Sequence, residues 1–122
     1  MAKILFVDDD QDICDLITLR LGIAGHDTTI AENGKIGLEK ALAETYDLIL
    51  MDMHMPVMEG HETVRTLRNR GYTGLIVALT ASVMTSETSA AIASGCDDVI
   101  VKPITEEFED QVAKFIEGHT GP

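Results

Sequence analysis

The chain has 122 residues, 45% of them hydrophobic and 25% charged, which suits one soluble domain long enough to bury a core. Its 21 acidic and 9 basic residues leave a formal net charge of -12, a surface that repels phosphate backbones and argues against direct nucleic-acid binding. No apolar run approaches the roughly 20 residues of a membrane span and the first residues do not read as a signal peptide, so no membrane insertion and a cytoplasmic location are expected. Cys14 and Cys96 stand far apart, fit no metal spacing and are expected as reduced thiols.

Strand and helix patterns alternate along the chain. Residues 3–7 (Lys3-Ile4-Leu5-Phe6-Val7) form an apolar run of the kind a strand shows when both its faces are covered. Ile13, Leu16, Ile17, Leu21 and Ala24 have helical spacing over 11–24, with Gly25 as a C-terminal cap. Residues 27–31 read as a weaker strand, suited to a sheet edge. Asn33-Gly34 marks a turn before a helix from about 35 to 44. Residues 47–51 are a second strong strand, followed by a loop from Met53 to Gly60 and a helix to about Asn69. Leu75 to Leu79 form a third strong strand ending at Thr80. An alanine- and serine-rich helix over 83–94 closes at Gly95, and 99–101 form a short strand before Lys102-Pro103. A last helix is expected to start near Thr105 as N-cap, with Glu106, Glu107 and Glu109 opposing the helix dipole. Residues 119–122 are expected to form a frayed tail to a domain over 1–118.

Five βα units of this kind predict an α/β domain: a doubly wound, five-stranded parallel sheet with helices on both faces. Ligands of such sheets bind beyond the carboxyl ends of the strands, at the point where strand order reverses. The chemistry-bearing residues fall at those ends. The first strand runs into Asp8 and Asp9, the third into Asp52, the fourth into Thr80 and the fifth into Lys102. Clustered carboxylates repel one another unless a cation joins them, and oxygen donors of this type suit Mg²⁺. A divalent cation, a lysine and a hydroxyl around a carboxylate make a receptor for a phosphoryl group, with Asp52 the candidate nucleophile. Asp10 is assigned instead to capping the first helix.

At these residues the chain resembles the receiver domain of two-component response regulators, over about residues 2–117. Phe6-Val7-Asp8-Asp9 is similar to that family's acidic pair, and Asp52 to Gly60 to its phosphoacceptor loop. Leu79-Thr80-Ala81 and Val101-Lys102-Pro103 complete the set. The resemblance implies a flavodoxin-like (βα)5 fold and a phosphorelay switch. Asp52 would accept a phosphoryl group from a histidine kinase or a histidine phosphotransfer domain. Asp9, Asp52 and the backbone carbonyl of His54 would bind Mg²⁺ directly, and Asp8 would act mainly through a metal-bound water. Thr80 would move to the phosphoryl group, Lys102 would pair with it, and the Lys102–Pro103 peptide would be cis. The state of the switch would be read by a downstream protein partner. No enzymatic activity is implied beyond Mg²⁺-dependent self-phosphorylation and slow self-dephosphorylation, whose rate His54 and Ser82 would influence. The loop after Asp52 most resembles receivers attached to hybrid sensor kinases. No output domain lies within the 122 residues, so a stand-alone or relay receiver is the first expectation, and a piece of a larger regulator or hybrid kinase the second.

One position departs from the family pattern. Val99 stands three residues before Lys102, where an aromatic residue is usual. Valine cannot make the rotation that normally follows the threonine, so output is expected through residues 81–94, or the domain relays phosphate alone. Leu19 and Ile23 widen the apolar face of the first helix around Arg20, which suits either cover for neighbouring loops or docking of a donor helix bundle. Met51, Met53, Met55 and Met58 read as adaptable packing, and His26, His61 and His119 as surface residues. Three other readings fit less well. A Mg²⁺-dependent aspartyl phosphatase of the Asp-x-Asp type would want an acid where His54 stands. A nucleotide or flavin domain would want a Gly-rich loop where three aspartates lie. A scaffold working without phosphate would not need all five site residues.

Overall fold

Five strands alternate with five helices in the computed structural model, which describes residues 2–53, 59–80, 85–101 and 104–119, the side chains of 85–87 and 119 excepted. In chain order these are β1 (Lys3–Val7), α1 (Gln11–Ile23), β2 (Asp27–Ala31), α2 (Gly34–Ala43), β3 (Leu48–Asp52), α3 (Gly60–Asn69), β4 (Ile76–Thr80), α4 (Thr85–Ser94), β5 (Asp98–Val101) and α5 (Phe108–His119). The strands form one parallel sheet in the order β2-β1-β3-β4-β5. The winding reverses between β1 and β3, where such sheets bind ligands. β2, read as the weaker strand, is indeed at an edge.

The unbroken apolar runs follow from a two-sided core. Ile4 and Phe6 of β1 and Leu48 and Leu50 of β3 pack with Ile17 and Leu21 of α1 and with Phe108 and Val112 of α5. Their neighbours Leu5, Val7, Ile49 and Met51 point the other way, toward Val64 and Leu67 of α3 and Ala41 of α2. The whole of β3 and β4 is buried. A polar residue at the carboxyl end of either strand therefore projects from the floor of the sheet, with no freedom to slip register.

Local signals set most boundaries. Asp10 caps α1, its carboxylate accepting from the backbone N–H of Asp12 at 3.0 Å and of Ile13 at 3.3 Å. Asn33 caps α2 by accepting from the Ile36 N–H at 2.9 Å. Gly25 and Gly95 follow α1 and α4 at φ of +93° and +124°, which disfavours any side chain there.

The last helix differs from its expected start. It begins at Phe108, because the Thr105 hydroxyl accepts from the Glu107 N–H and the Thr105 carbonyl from the Phe108 N–H, both at 3.3 Å. Residues 105–107 thus close a turn ahead of the helix, and Glu109 and Asp110 form its acidic first turn. Two histidines also differ from expectation. His26 is half-buried, its Nδ1 accepting from the Ala2 N–H at 3.1 Å, and His61 is half-buried with Nε2 out of contact with solvent. Met51 and Met53 are core residues, while Met55 and Met58 lie outside the described residues.

At the amino ends of the strands, Arg68 of α3 draws three segments together. Its guanidinium donates to the carbonyls of Gly95, Tyr72 and Gly74 at 2.8–2.9 Å and pairs with Asp97 at 3.0 Å. Asp97 in turn accepts from the Ile76 N–H at 2.8 Å, which aligns the start of β4. The planar fork meets acceptors in several directions, which an ammonium on a flexible stem does not reproduce. Arg68→Ala is expected to lower unfolding free energy by about 2 kcal/mol, with Arg68→Lys recovering less than half, as measured by urea denaturation.

Candidate functional site

The sheet register builds the site. Val7 is level with Met51, so the next residues, Asp8 and Asp52, leave β1 and β3 side by side. Asp52 is itself level with Leu79, which places Thr80 one step further along β4, and Thr80 is level with Val101 of β5. Asp8, Asp52 and Thr80 are all buried, while Asp9 is exposed. Carboxylate oxygens of Asp8, Asp9 and Asp52 lie within 4.8 Å of one another.

The remaining residues expected at the site, His54 and Lys102, lie outside the described residues, as do Ser82 and the Lys102–Pro103 peptide. Val101, immediately before Lys102, ends β5 at the same edge as Thr80. Val99 is half-buried, level with Ala78 of β4 and packed against the core layer that holds Ala78 and Ala91.

Three features around the carboxylates escaped the sequence reading. The Asp10 N–H donates to Asp8 Oδ1 at 3.0 Å, so the residue that caps α1 also fixes one oxygen of Asp8. The Cys14 thiol donates to the Asp8 carbonyl at 3.4 Å from the first turn of α1. Gly60 opens α3 against the backbone of the site, where a Cβ would lie 2.4 Å from the Asp52 carbonyl oxygen and 2.7 Å from Met53 Cα. Any larger residue there pushes α3 off the end of β3. A glycine in an otherwise helical first turn was the available signal, but the helix pattern alone does not show what it touches.

Burial dominates the chemistry of the two thiols. Cys14 is pushed up to about 11, first by loss of solvent and then by the negative charge of Asp8. Cys96 is pushed up to about 11, again mainly by burial. Both are free.

The surface of α1 divides in two. Arg20 turns toward α5, donating to the Thr105 carbonyl at 2.6 Å, pairing with Glu109 and lying over the Phe108 ring. Leu16, Leu19 and Ile23 stay open, at 43%, 62% and 79% exposure.

With this sheet, this site and the reversal of winding between β1 and β3, the chain belongs to the response regulator receiver domain family, whose model matches residues 4–113. It is 43% identical to the response regulator ArlR of Staphylococcus saprophyticus over 115 residues, which are 94% of this chain and 51% of that protein. The chain thus spans about half the length of that curated relative. Among solved structures, the Francisella response regulator 1452 receiver domain superposes with a TM-score of 0.90 at 29% identity, covering 97% of this chain and 98% of that one. The response regulator TrrA of Thermotoga maritima, crystallised in complex with Mg²⁺-BeF, superposes at 0.83 with 31% identity, covering 94% and 99%. Among the described residues no helix is long and apolar enough to cross a membrane.

The thiols offer a check on the burial of the core. Their pKa is higher in the folded than in the unfolded chain, so the native state holds protons that the unfolded state has lost above about pH 9. Stability is expected to be complete below pH 9 and to fall as pH rises from about 9 to 11. The fall should shrink in Cys96→Ala when urea midpoints are compared across that window.

Proposed function

We propose that this domain is a phosphoryl-accepting signalling switch, with Asp52 as the residue modified. The observation that carries the reading is the meeting of Asp8, Asp9 and Asp52 at the reversal point of the sheet of a receiver-family chain. The donor is a phosphohistidine on a histidine kinase or a histidine phosphotransfer domain. An Asp52 oxygen forms the new bond to phosphorus as the bond from phosphorus to the donor imidazole nitrogen breaks, and the imidazole takes up a proton. The three carboxylates offer only hard oxygen donors, which fits Mg²⁺, with Asp9, Asp52 and the His54 carbonyl as direct ligands and Asp8 acting through water. When bound, Mg²⁺ supplies positive charge against the transferring phosphoryl oxygens. Thr80 then hydrogen-bonds one of those oxygens, and Lys102 pairs with another. The Mg²⁺-BeF complex of TrrA supports a site of this kind in the family.

The exposed stripe of Leu16, Leu19 and Ile23 is the proposed seat of the donor. It lies on the helix that starts beside the carboxylates, so a helix bundle resting there brings its histidine to Asp52. A downstream protein partner reads the phosphorylated state, in the cytoplasm. Phosphate shifts the balance between conformers that already exist, and Val99, packed in the core beside Ala78, directs that shift to the segment after Thr80.

Incubation with acetyl phosphate and Mg²⁺ should add one phosphoryl group by intact mass. EDTA or Asp52→Asn should abolish the gain, and turnover of many phosphate equivalents would replace the switch with an enzyme. For the docking stripe, Leu19→Ser should slow transfer from the cognate phosphodonor at least tenfold while leaving labelling by acetyl phosphate unchanged. Equal transfer rates would remove the stripe from the donor interface.

A further inference from the structure

Asp10 is the third aspartate of the run after β1, yet it stands outside the group of carboxylates that approach one another. It faces two ways. Its side chain accepts from the N–H groups of Asp12 and Ile13, which holds its own backbone in an extended conformation at φ -87° and ψ 109°. That conformation aims its backbone N–H at Asp8 Oδ1, at 3.0 Å. The same turn of α1 brings the Cys14 thiol to the Asp8 carbonyl, and the Asp8 N–H donates to the Ala31 carbonyl of β2 at 3.1 Å. Asp8 is therefore held at its amide, its carbonyl and one carboxylate oxygen, the last two from the N-cap and first turn of α1.

We propose that Asp10 is a positioning residue for the metal site: the cap it forms presets the Asp8 carboxylate, and losing the cap weakens Mg²⁺ binding. The proposal rests on the reading of Asp8, Asp9 and Asp52 as the Mg²⁺ site. The residues that hold a metal's ligands in place set affinity nearly as strongly as the ligands do. The helix cap is also sensitive to the shape of one side chain and indifferent to its charge, since aspartate, asparagine and serine cap about equally well and alanine does not. This separates positioning from simple electrostatics, because Asp10→Asn and Asp10→Ala remove the same negative charge near the cation.

The test is calorimetric titration of the full chain with Mg²⁺ alone, at fixed ionic strength, for the wild type, Asp10→Asn, Asp10→Ser and Asp10→Ala. Asp10→Ala is expected to raise the dissociation constant about tenfold, with Asp10→Asn and Asp10→Ser within about twofold of the wild type. In the wild type and the two capping variants, the residue-10 amide resonance should also move on titration. If Asp10→Ala does not fold, Asp10→Gly takes its place, since it loses the side-chain acceptor at small cost to the helix start. Equal affinity in Asp10→Ala overturns the proposal and leaves the Mg²⁺ site standing. Equal weakening in Asp10→Asn and Asp10→Ala overturns it in favour of charge alone. Absence of Mg²⁺ binding by the wild type overturns both this proposal and the reading of the site.

Discussion

The parallel pairing of β1 with β3 is the constraint on which the rest of the molecule depends. Because Val7 is level with Met51, two carboxylates emerge together from buried strands, and Asp9 joins them within 4.8 Å. Like charges at that spacing repel, and the repulsion is resisted by what lies beneath. Both strands are clad on two faces by apolar layers, so neither can rotate or slip to separate the charges without exposing a face of the core. The crowding is thus a property of the fold rather than of local side-chain choice. The same crowding is what the proposed Mg²⁺ and phosphoryl site rests on.

Around this centre the supports come from different directions and do different work. α1 holds Asp8 through the Asp10 amide and the Cys14 thiol. α3 meets the other side with Gly60, whose missing side chain lets the helix start directly on the Asp52 carbonyl. Arg20 ties α1 across to α5, while Leu16, Leu19 and Ile23 of the same helix face outward. One helix therefore carries a support of the carboxylates at its start and an open apolar stripe along its length.

Much of this was legible in the sequence because the strong signals are local or periodic. The apolar runs of β1, β3 and β4 announce buried strands, and the change to Asp or Thr marks their ends. Asp10 and Asn33 announce helix starts. Thr105 misled because a threonine followed by two glutamates resembles a cap with an acidic first turn, whereas its hydroxyl and carbonyl close a separate turn before Phe108. The clamp at Arg68 was not legible at all. Three of its acceptors are backbone carbonyls, which leave no mark in side-chain identity, and its charged partner is 29 residues away. The amide of Asp10 escaped for the same reason, and Gly60 because its glycine shows in the sequence while the backbone it approaches does not.

The Arg68 clamp lies at the amino ends of the strands, and the carboxylates lie at the opposite ends. The molecule therefore has a structural clamp at one pole and the proposed site at the other. Variation at the two poles should have different biological signatures. A substitution at the Arg68 pole lowers how much folded protein a cell keeps, and scales every downstream response by the same factor. Under the proposed function, a substitution among the strand-end residues would instead alter the timing or threshold of the response.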